Sequence, residues 1–249
     1  MKSQKIIILL LLTLPAISIS AACNDAAASD KTISSESQKV SSSAWLNVNY
    51  AGVIPVSIDP TTGKVVMLLG LRKPTNNHQS WGDFGGKVEG QEFMDEGARR
   101  EGQEELMIKA QNWVNPDALY TINDTFDPAF NASTILKLEN NNKKAQIHLV
   151  ALPHVTTDKW LNVLKKIKND DTIPTESRQV CDFAWINIDD VIAWIRTTDQ
   201  NKDWTASLAK GHRLFRNTAA VLRENLKMVE CVNKHLTQKI QTIDDEQKN

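Results

Sequence analysis

The chain has 249 residues, of which 41% are hydrophobic and 24% are charged, and its formal net charge is −1. This length and this apolar content are enough for a sizeable buried core. A charge so close to zero gives no overall field that would attract nucleic acid or an anionic membrane surface, so neither is expected as a partner. A small anionic ligand would have to be captured by local cations or by a metal ion.

The N-terminus has the layout of a secretory signal peptide. Two lysines precede the apolar run Ile6 to Leu14, and small residues then lead to Cys23. The run is too short to cross a bilayer as a permanent helix. Residues 1–22 are therefore predicted to be a signal peptide, which implies export to a periplasm or to the exterior. A core helix of a cytoplasmic protein is the alternative.

Two routes of signal cleavage stay open at Cys23. The two alanines before it resemble a bacterial lipoprotein site, where the cysteine is lipidated and anchors the protein to a membrane. Cleavage by the general signal peptidase is the other route, and Ser20 favours it because leucine is usual there in the lipoprotein pattern. Residues 23–43 are rich in Ser, Ala and Asp and are predicted to be a disordered linker.

Residues 44–200 alternate strand and helix patterns, which predicts one mixed α/β domain. The first two strands are joined by a turn at Asp59 to Gly63, and a third, short strand enters the glycine pair Gly85-Gly86. The predicted bounds of these strands are Trp45 to Ile58, Lys64 to Arg72 and Ser80 to Phe84.

The segment Gly85 to Ile108, GGKVEGQEFMDEGARREGQEELMI, points to a metal site. A helix is predicted from about Gln91 to Met107. Positions i, i+3 and i+4 of a helix lie within an arc of about 100°, so Glu101, Glu104 and Glu105 share one face. Because the three carboxylates repel each other, a cation is expected among them. Ligands that are all oxygen favour Mg²⁺ or Mn²⁺ over zinc.

This segment resembles the signature of the Nudix hydrolase family. The residues that match it are Gly86, Glu92, Arg100, Glu101, Glu104, Glu105 and Ile108. Two positions depart from the signature, since Gly102 stands where an aliphatic residue is usual and Met107 stands where a glycine is usual. A solvated helix with the i, i+4 pairs Asp95/Arg99 and Glu96/Arg100 is the alternative. It explains the acids of the helix but not the spacing of the preceding glycine and Glu92.

The resemblance implies a fold, a reaction and a set of roles. The fold is an α/β/α sandwich with a mixed sheet. The reaction is hydrolysis of the phosphoanhydride bond of a nucleoside diphosphate linked to another group, with Mg²⁺ or Mn²⁺ as cofactor and water attacking phosphorus. Glu101, Glu104 and Glu105 would hold the metal ion, and Arg100 would orient the acids through a bidentate pair. Gly85, Gly86 and Glu92 would shape the loop before the helix.

The rest of the chain continues the alternation and ends in a helical extension, residues 201–249. The further predicted strands are Leu119 to Thr125, Ser133 to Leu138, Gln146 to Leu152 and Val180 to Asn187. The further predicted helices are Asp158 to Ile167, Asp189 to Ile195, and one long helix or two from Trp204 to about Leu236.

Six residues outside the motif are weaker candidates, and an ordinary alternative is favoured for each. They are Glu176 and Asp182 as further acids, Arg72 and Lys73 as phosphate contacts, and Trp81 and Phe84 as stacking partners of a base. The charged residues are expected to be solvated, and the aromatic residues are expected to pack in the core. Cys181 and Cys231 are expected either to form a disulfide, which export would favour, or to stay buried as separate thiols.

Two other classes of function compete with hydrolysis. A nucleotide-binding protein that does not turn its ligand over is supported by Gly102 and Met107, but every acid of the signature is present. A purely structural envelope lipoprotein is supported by the N-terminal segments and leaves the motif unexplained.

Overall fold

The computed structural model describes residue 23 and residues 49–75, 78–106, 134–140, 144–152, 154–168, 179–196 and 213–246. The predicted signal peptide and the predicted strand Leu119 to Thr125 lie outside these residues, as do Met107, Ile108 and Glu176. The predicted linker is also outside them, except for Cys23.

The described residues form strands and helices in an alternating order, as the sequence predicts. The strands are β1 (Tyr50–Ile58), β2 (Val65–Thr75), β3 (His78–Gly82), β4 (Phe84–Lys87), β5 (Thr134–Asn140), β6 (Ala145–Ala151), β7 (Val180–Asn187) and β8 (Arg213–Leu214). The helices are α1 (Met94–Glu105), α2 (Thr157–Lys168), α3 (Ile188–Arg196), α4 (Arg216–Glu224) and α5 (Leu226–Glu246).

All of these strands belong to one mixed sheet. Its main order is β5-β6-β1-β2-β3-β8, while β4 pairs with β1 and β7 pairs with β2. The pairs β1–β6 and β3–β8 are parallel, and the other pairs are antiparallel. Strand β1 changes partner along its length, because residues 56–58 pair with β2 whereas residues 50–53 pair with β4. This change brings β4 and the glycine pair alongside the start of β1.

Alternate residues of the central strands pack into two different cores. On β1, Ile54 and Val56 face the core covered by α3, α4 and α5, whereas Ala51 and Val53 face the core covered by α1 and α2. Successive side chains of a strand point to opposite faces, so a central strand buried on both faces becomes an almost continuous apolar run. The predicted α/β/α sandwich with a mixed sheet is therefore confirmed.

The two C-terminal helices belong to the same core as the sheet. Val221 and Leu222 of α4 and Val229 and Val232 of α5 are fully buried in the cluster that contains Ile54. The sequence left one long helix or two open for this region, and the structure has two in residues 213–246, with Asn225 between them. The predicted strand Ser80 to Phe84 is likewise two strands, β3 and β4, separated at Asp83.

The cysteine pairing differs from the prediction. Cys231 is bonded to Cys23, with a Cα–Cα distance of 5.6 Å, and Cys181 is a free thiol. The predicted bond between Cys181 and Cys231 is therefore wrong, as is the alternative of two separate thiols. Cys181 lies on β7, where its thiol donates to the Leu71 carbonyl 3.1 Å away, whereas Cys231 lies on α5. Cys23 is buried in the core beside α5.

Candidate metal and phosphate site

Two glycines of β4 allow close approaches, Gly85 to strand β1 and Gly86 to the Glu101 side chain of α1. A Cβ atom on Gly86 would lie 2.5 Å from Glu101 Oε1, and a Cβ atom on Gly85 would lie 2.5 Å from the Cα of Gly52. Both distances are far below van der Waals contact. Gly85 is therefore required for the close approach of β4 to β1, and Gly86 for the position of the Glu101 carboxylate.

Arg100 holds the loop before α1 and two acids of the helix. Its Nε and Nη2 atoms donate to both carboxylate oxygens of Glu92 at 2.9 and 3.2 Å, and Nη2 also donates to the Lys87 carbonyl at 2.8 Å. Its Nη1 atom donates to Glu101 at 2.9 Å and to Glu104 at 3.2 Å. Hydrogen bonds from Arg100 are the main reason why the pKa of Glu92 is lowered. The guanidinium thus fixes Glu101 and Glu104 beside each other.

Glu105 has a different environment, although it is on the same helical face. Its side chain is 3% exposed, and its Oε2 atom accepts the amide hydrogen of Gly85 at 2.8 Å and the Arg72 guanidinium at 2.9 Å. Burial raises the pKa of the Glu105 carboxyl to about 8, and the positive charge of Arg72 opposes this rise. Burial also raises the pKa of Glu101. Both carboxyls are therefore short of solvent that would stabilise their negative charge.

Arg72 is largely shielded from solvent, so the prediction of a solvated surface cation is wrong for this residue. Its side chain is 12% exposed, and its Nη2 atom lies within hydrogen-bonding distance of the carbonyl oxygens of Asp83 and Gly85 and of Glu105. The ring of Phe215, just before α4, lies 4.8 Å from the guanidinium carbon. Arg72 thus connects β2, the glycine pair and the end of α1. The side chain of Lys73 is outside the described part.

The carboxylate set fits a hard divalent cation. Four glutamates of the motif face only two guanidinium groups, those of Arg72 and Arg100, so the local charge is negative. In the part of the chain that the structure describes, no three Asp, Glu, His or Cys side chains are arranged to surround one ion. Mg²⁺ is nevertheless usually held by one or two carboxylates together with waters and substrate phosphates. Glu101 and Glu104, which share one nitrogen of Arg100, suit that arrangement.

The structure thus divides the three predicted metal ligands. Glu101 and Glu104 lie together on Arg100, whereas Glu105 lies on Arg72 and the Gly85 amide. The role of each glutamate as a metal ligand stays a prediction.

The first turn of α1 makes other contacts than the solvated-helix alternative requires. Glu96 accepts the backbone amide of Phe93 at 2.9 Å, and Arg100 turns to Glu92. Asp95 forms an ion pair with Lys137 on β5 and accepts a hydrogen bond from Gln146 on β6. These contacts fasten the start of α1 to the sheet and leave its last turn to the acids of the motif.

The aromatic candidates pack in the core, as expected. Trp81 and Phe84 are 1% and 0% exposed, and Phe84 stacks on Phe183 with ring centroids 5.7 Å apart. Gly102 is also buried, on the side of α1 that faces the sheet. The structure therefore offers neither aromatic ring to a nucleotide base.

Three polar residues of the site were not predicted. Asp83 is 1% exposed, and its carboxylate accepts hydrogen bonds from the hydroxyls of Tyr50 and Thr218. The sequence did contain a signal for Asp83, which is a single acid within the apolar segment between Trp81 and Gly86. On a strand that is buried on both faces, such an acid has no solvent-exposed position. No local pattern marks Tyr50 or Thr218, because both contacts join residues far apart in the sequence.

The sequence matches no protein-family model and no curated protein. Several solved structures are similar to this one. An Ap4A hydrolase from C. elegans, in a binary complex, is 16% identical, with 77% of this chain and 98% of that chain covered and a TM-score of 0.37. A MutT/Nudix family protein from Listeria innocua is 12% identical, covers 79% and 98%, and has a TM-score of 0.37. A Nudix hydrolase from M. smegmatis, RenU, is 11% identical, covers 75% and 88%, and has a TM-score of 0.36.

Proposed function

We propose that the protein is a metal-dependent hydrolase that cleaves the phosphoanhydride bond of a nucleoside diphosphate linked to another group. The observation that carries this proposal is the placement of the motif residues. Glu101 sits over Gly86, Arg100 joins Glu92 to Glu101 and Glu104, and Glu105 accepts the amide of Gly85. A merely solvated helix would need none of these contacts, whereas a site that binds phosphate through a cation needs carboxylates in fixed positions.

Mg²⁺ or Mn²⁺ is the cofactor that the carboxylates suit. Glu101 and Glu104 would hold it, with Glu105 as a third ligand or as the group that fixes the glycine pair beside them. When bound, such an ion neutralises phosphate charge and lowers the pKa of a coordinated water. Arg100 keeps the carboxylates of Glu101 and Glu104 in place, and Arg72 donates to Glu105 and opposes the rise of its pKa. Neither guanidinium is assigned a contact with the substrate.

A nucleotide-binding protein without turnover is the second candidate. Gly102 favours it, because a glycine within a helix costs roughly 0.5–1 kcal/mol and weakens the element that carries the acids. The intact set of glutamates favours hydrolysis. The two functions differ in a single measurable property, which is the metal-dependent release of product.

The experiment is a screen of nucleoside diphosphate derivatives with Mg²⁺ and with Mn²⁺, using the full mature chain, which keeps Cys23 and its bond to Cys231. Glu104→Gln and Glu105→Gln should each reduce kcat/KM by roughly 100-fold or more, because each replaces a carboxyl group that can bind a cation with a neutral amide of the same size. Glu96→Gln is the matched control, since glutamine can still accept the Phe93 amide and the residue lies in the first turn. Turnover by both motif variants within a few fold of wild type would exclude this site.

We further propose that the protein is exported and that the predicted signal peptide is removed. The Cys23–Cys231 bond supports export, because disulfides persist mainly in oxidising compartments. The same sulfur cannot carry both this bond and a thioether-linked lipid. A lipid-anchored form and a disulfide-bonded form are therefore exclusive alternatives for Cys23. None of the helices in the described residues is both long and apolar enough to span a membrane.

A further inference from the structure

The geometry points to Thr218 and Asp83 as positioning residues, through which the C-terminal helix α4 holds the glycine pair and Glu105 in their working arrangement. This inference rests on the proposed function for its catalytic part. The two residues are 135 positions apart in the sequence, and both are buried. Neither belongs to the motif.

The Thr218 hydroxyl makes two hydrogen bonds with the same residue. It accepts the backbone amide of Asp83 at 3.2 Å and donates to the Asp83 carboxylate. Thr218 lies in the first turn of α4, where the helix dipole favours a nearby negative charge. The Asp83 side chain and its backbone are therefore both held by one hydroxyl of α4.

Asp83 fits only because the surrounding backbone is glycine. A Cβ on Gly52 would overlap the Asp83 carboxylate, and a Cβ on Gly85 would lie 2.6 Å from the same group. Tyr50 donates to the other side of the carboxylate at 2.9 Å. The carboxylate is thus enclosed by β1, the glycine pair and α4, and its position is set from three sides.

Asp83 and Glu105 are coupled structurally through the Gly85 amide and through the Arg72 guanidinium. Asp83 is two residues before Gly85, whose amide donates to Glu105 at 2.8 Å. The carbonyl of Asp83 accepts the Arg72 guanidinium at 3.1 Å, and the same nitrogen donates to Glu105 at 2.9 Å. Removing the Thr218 hydroxyl should therefore loosen the turn from Asp83 to Gly85 and displace Glu105 with it.

Gly82 allows α4 to approach closely enough for these bonds. A Cβ on Gly82 would lie 2.9 Å from the Cβ of Phe215 and 3.2 Å from the Thr218 hydroxyl. The amide of Phe215 also donates to the Trp81 carbonyl, which continues the pairing of β3 with β8. The start of α4 is therefore attached to the strand that leads into the glycine pair, not only packed over the core.

The test compares Thr218→Val, Thr218→Ser and Val221→Ala in the full mature chain. Valine keeps the shape of threonine and removes the hydroxyl, whereas serine restores the hydroxyl. Val221 lies on the same helix, is fully buried and belongs to the apolar core, so Val221→Ala lowers stability without touching Asp83. Each variant is measured for kcat and KM at saturating Mg²⁺, for Tm, and for hydrogen exchange of the amides of Asp83 and Gly85.

We expect Thr218→Val to reduce kcat by about 10-fold to 100-fold, since a displacement of about 1 Å of a catalytic group has effects of that size, with KM within about threefold. In this variant the hydrogen exchange of the Asp83 and Gly85 amides, measured relative to the amides of β1, should be faster than in the wild-type protein. Thr218→Ser should restore both properties, and Val221→Ala should change Tm but neither kcat nor the exchange of these two amides relative to β1.

Two results would overturn the inference. One is an unchanged kcat and unchanged exchange at Asp83 and Gly85 in Thr218→Val. The other is an equal loss of kcat in Val221→Ala at a similar fall in Tm, which would show a general effect of stability. If the wild-type protein hydrolyses no compound of the panel, the proposed function fails, and the exchange of the two amides alone decides whether α4 holds the glycine pair.

Discussion

Replacement by alanine should reduce mainly stability at Gly85 and mainly activity at Gly86. In Gly85→Ala, the new Cβ would meet backbone atoms that cannot move independently, namely the Cα of Gly52 at 2.5 Å and the carbonyl oxygen of Ala51 at 2.6 Å. Since van der Waals contact lies at about 3.5 Å or more, β1 and β4 would have to separate by roughly 1 Å. In Gly86→Ala, the new Cβ meets the Glu101 carboxylate, which is the end of a flexible side chain.

The magnitudes follow from what has to move. Overpacking of this kind costs about 1–3 kcal/mol, and in a domain of this size each kcal/mol lowers Tm by roughly 2–4 °C. Gly85→Ala should therefore lower Tm by roughly 2–12 °C. Gly86→Ala breaks the partly exposed ion pair between Glu101 and Arg100, which contributes no more than about 1 kcal/mol. It should lower kcat/KM and the affinity for Mn²⁺ by 10-fold or more with little change in Tm.

The assay is thermal unfolding, Mn²⁺ titration and kcat/KM on the best substrate for both variants. Gly90→Ala is the control, because Gly90 lies in the loop that follows β4 and a Cβ there would meet nothing within 4 Å, although its φ of +54° adds backbone strain. It should lose about 1 kcal/mol of stability and keep its activity. A Gly86→Ala protein with kcat/KM within twofold of wild type, or a Gly85→Ala protein with an unchanged Tm, would refute the packing argument.

Three further predictions concern other parts of the molecule. Arg100→Lys should lower kcat/KM by 10-fold or more with a small change in Tm. One ammonium group cannot bind both oxygens of Glu92 and still reach Glu101 and Glu104. A fully active lysine variant would contradict this prediction. Burial lowers the pKa of His148 to about 4, so between about pH 6.5 and pH 4 the unfolded chain takes up a proton that the folded protein does not. The free energy of unfolding should therefore fall by up to roughly 3 kcal/mol as the pH drops through that window. Urea unfolding at pH 7 and at pH 4.5 should show a smaller fall for His148→Gln than for the wild type. Equal falls in both proteins would exclude His148 as the cause. Under denaturing conditions Cys181 should be alkylated without reductant, whereas Cys23 and Cys231 should be alkylated only after reduction. Closure of the loop by this disulfide should contribute up to about 5 kcal/mol to stability. A diacylglycerol mass on Cys23 in protein from the native host would instead establish lipid attachment.

The elements predicted best from the sequence are those whose side chains alternate or repeat locally. Strand β7 has the predicted bounds, Val180–Asn187, and α3 begins and ends within one residue of its prediction. In both elements the spacing of the apolar residues is set by the side of the strand or helix that faces a core. The single strand predicted from Ser80 to Phe84 is wrong, because β3 pairs with β2 whereas β4 pairs with β1, and the neighbouring residues do not indicate this change of partner.

Partners that are distant in the sequence account for the rest of the site. The motif spacing predicts that Arg100 orients the acids of the motif by binding them, and its contact with Glu92 spans only eight residues. Arg72 has no such local signal. Its partners are Asp83, Glu105 and the ring of Phe215, and only the folded sheet brings them to one place. A cation at the end of a predicted strand is usually solvated, so its burial had to be seen in the structure.

Helical spacing alone also does not determine the role of each glutamate. Glu101, Glu104 and Glu105 share one face of α1, yet Arg100 holds the first two near the surface and Arg72 holds the third inside. The difference arises from the strand below the helix. The Gly85 amide points at Glu105, whereas Gly86 leaves only enough space for the end of the Glu101 side chain. Two adjacent glycines thus give different surroundings to Glu105, which accepts a backbone amide, and to Glu101, which together with Glu104 is proposed to bind the cation.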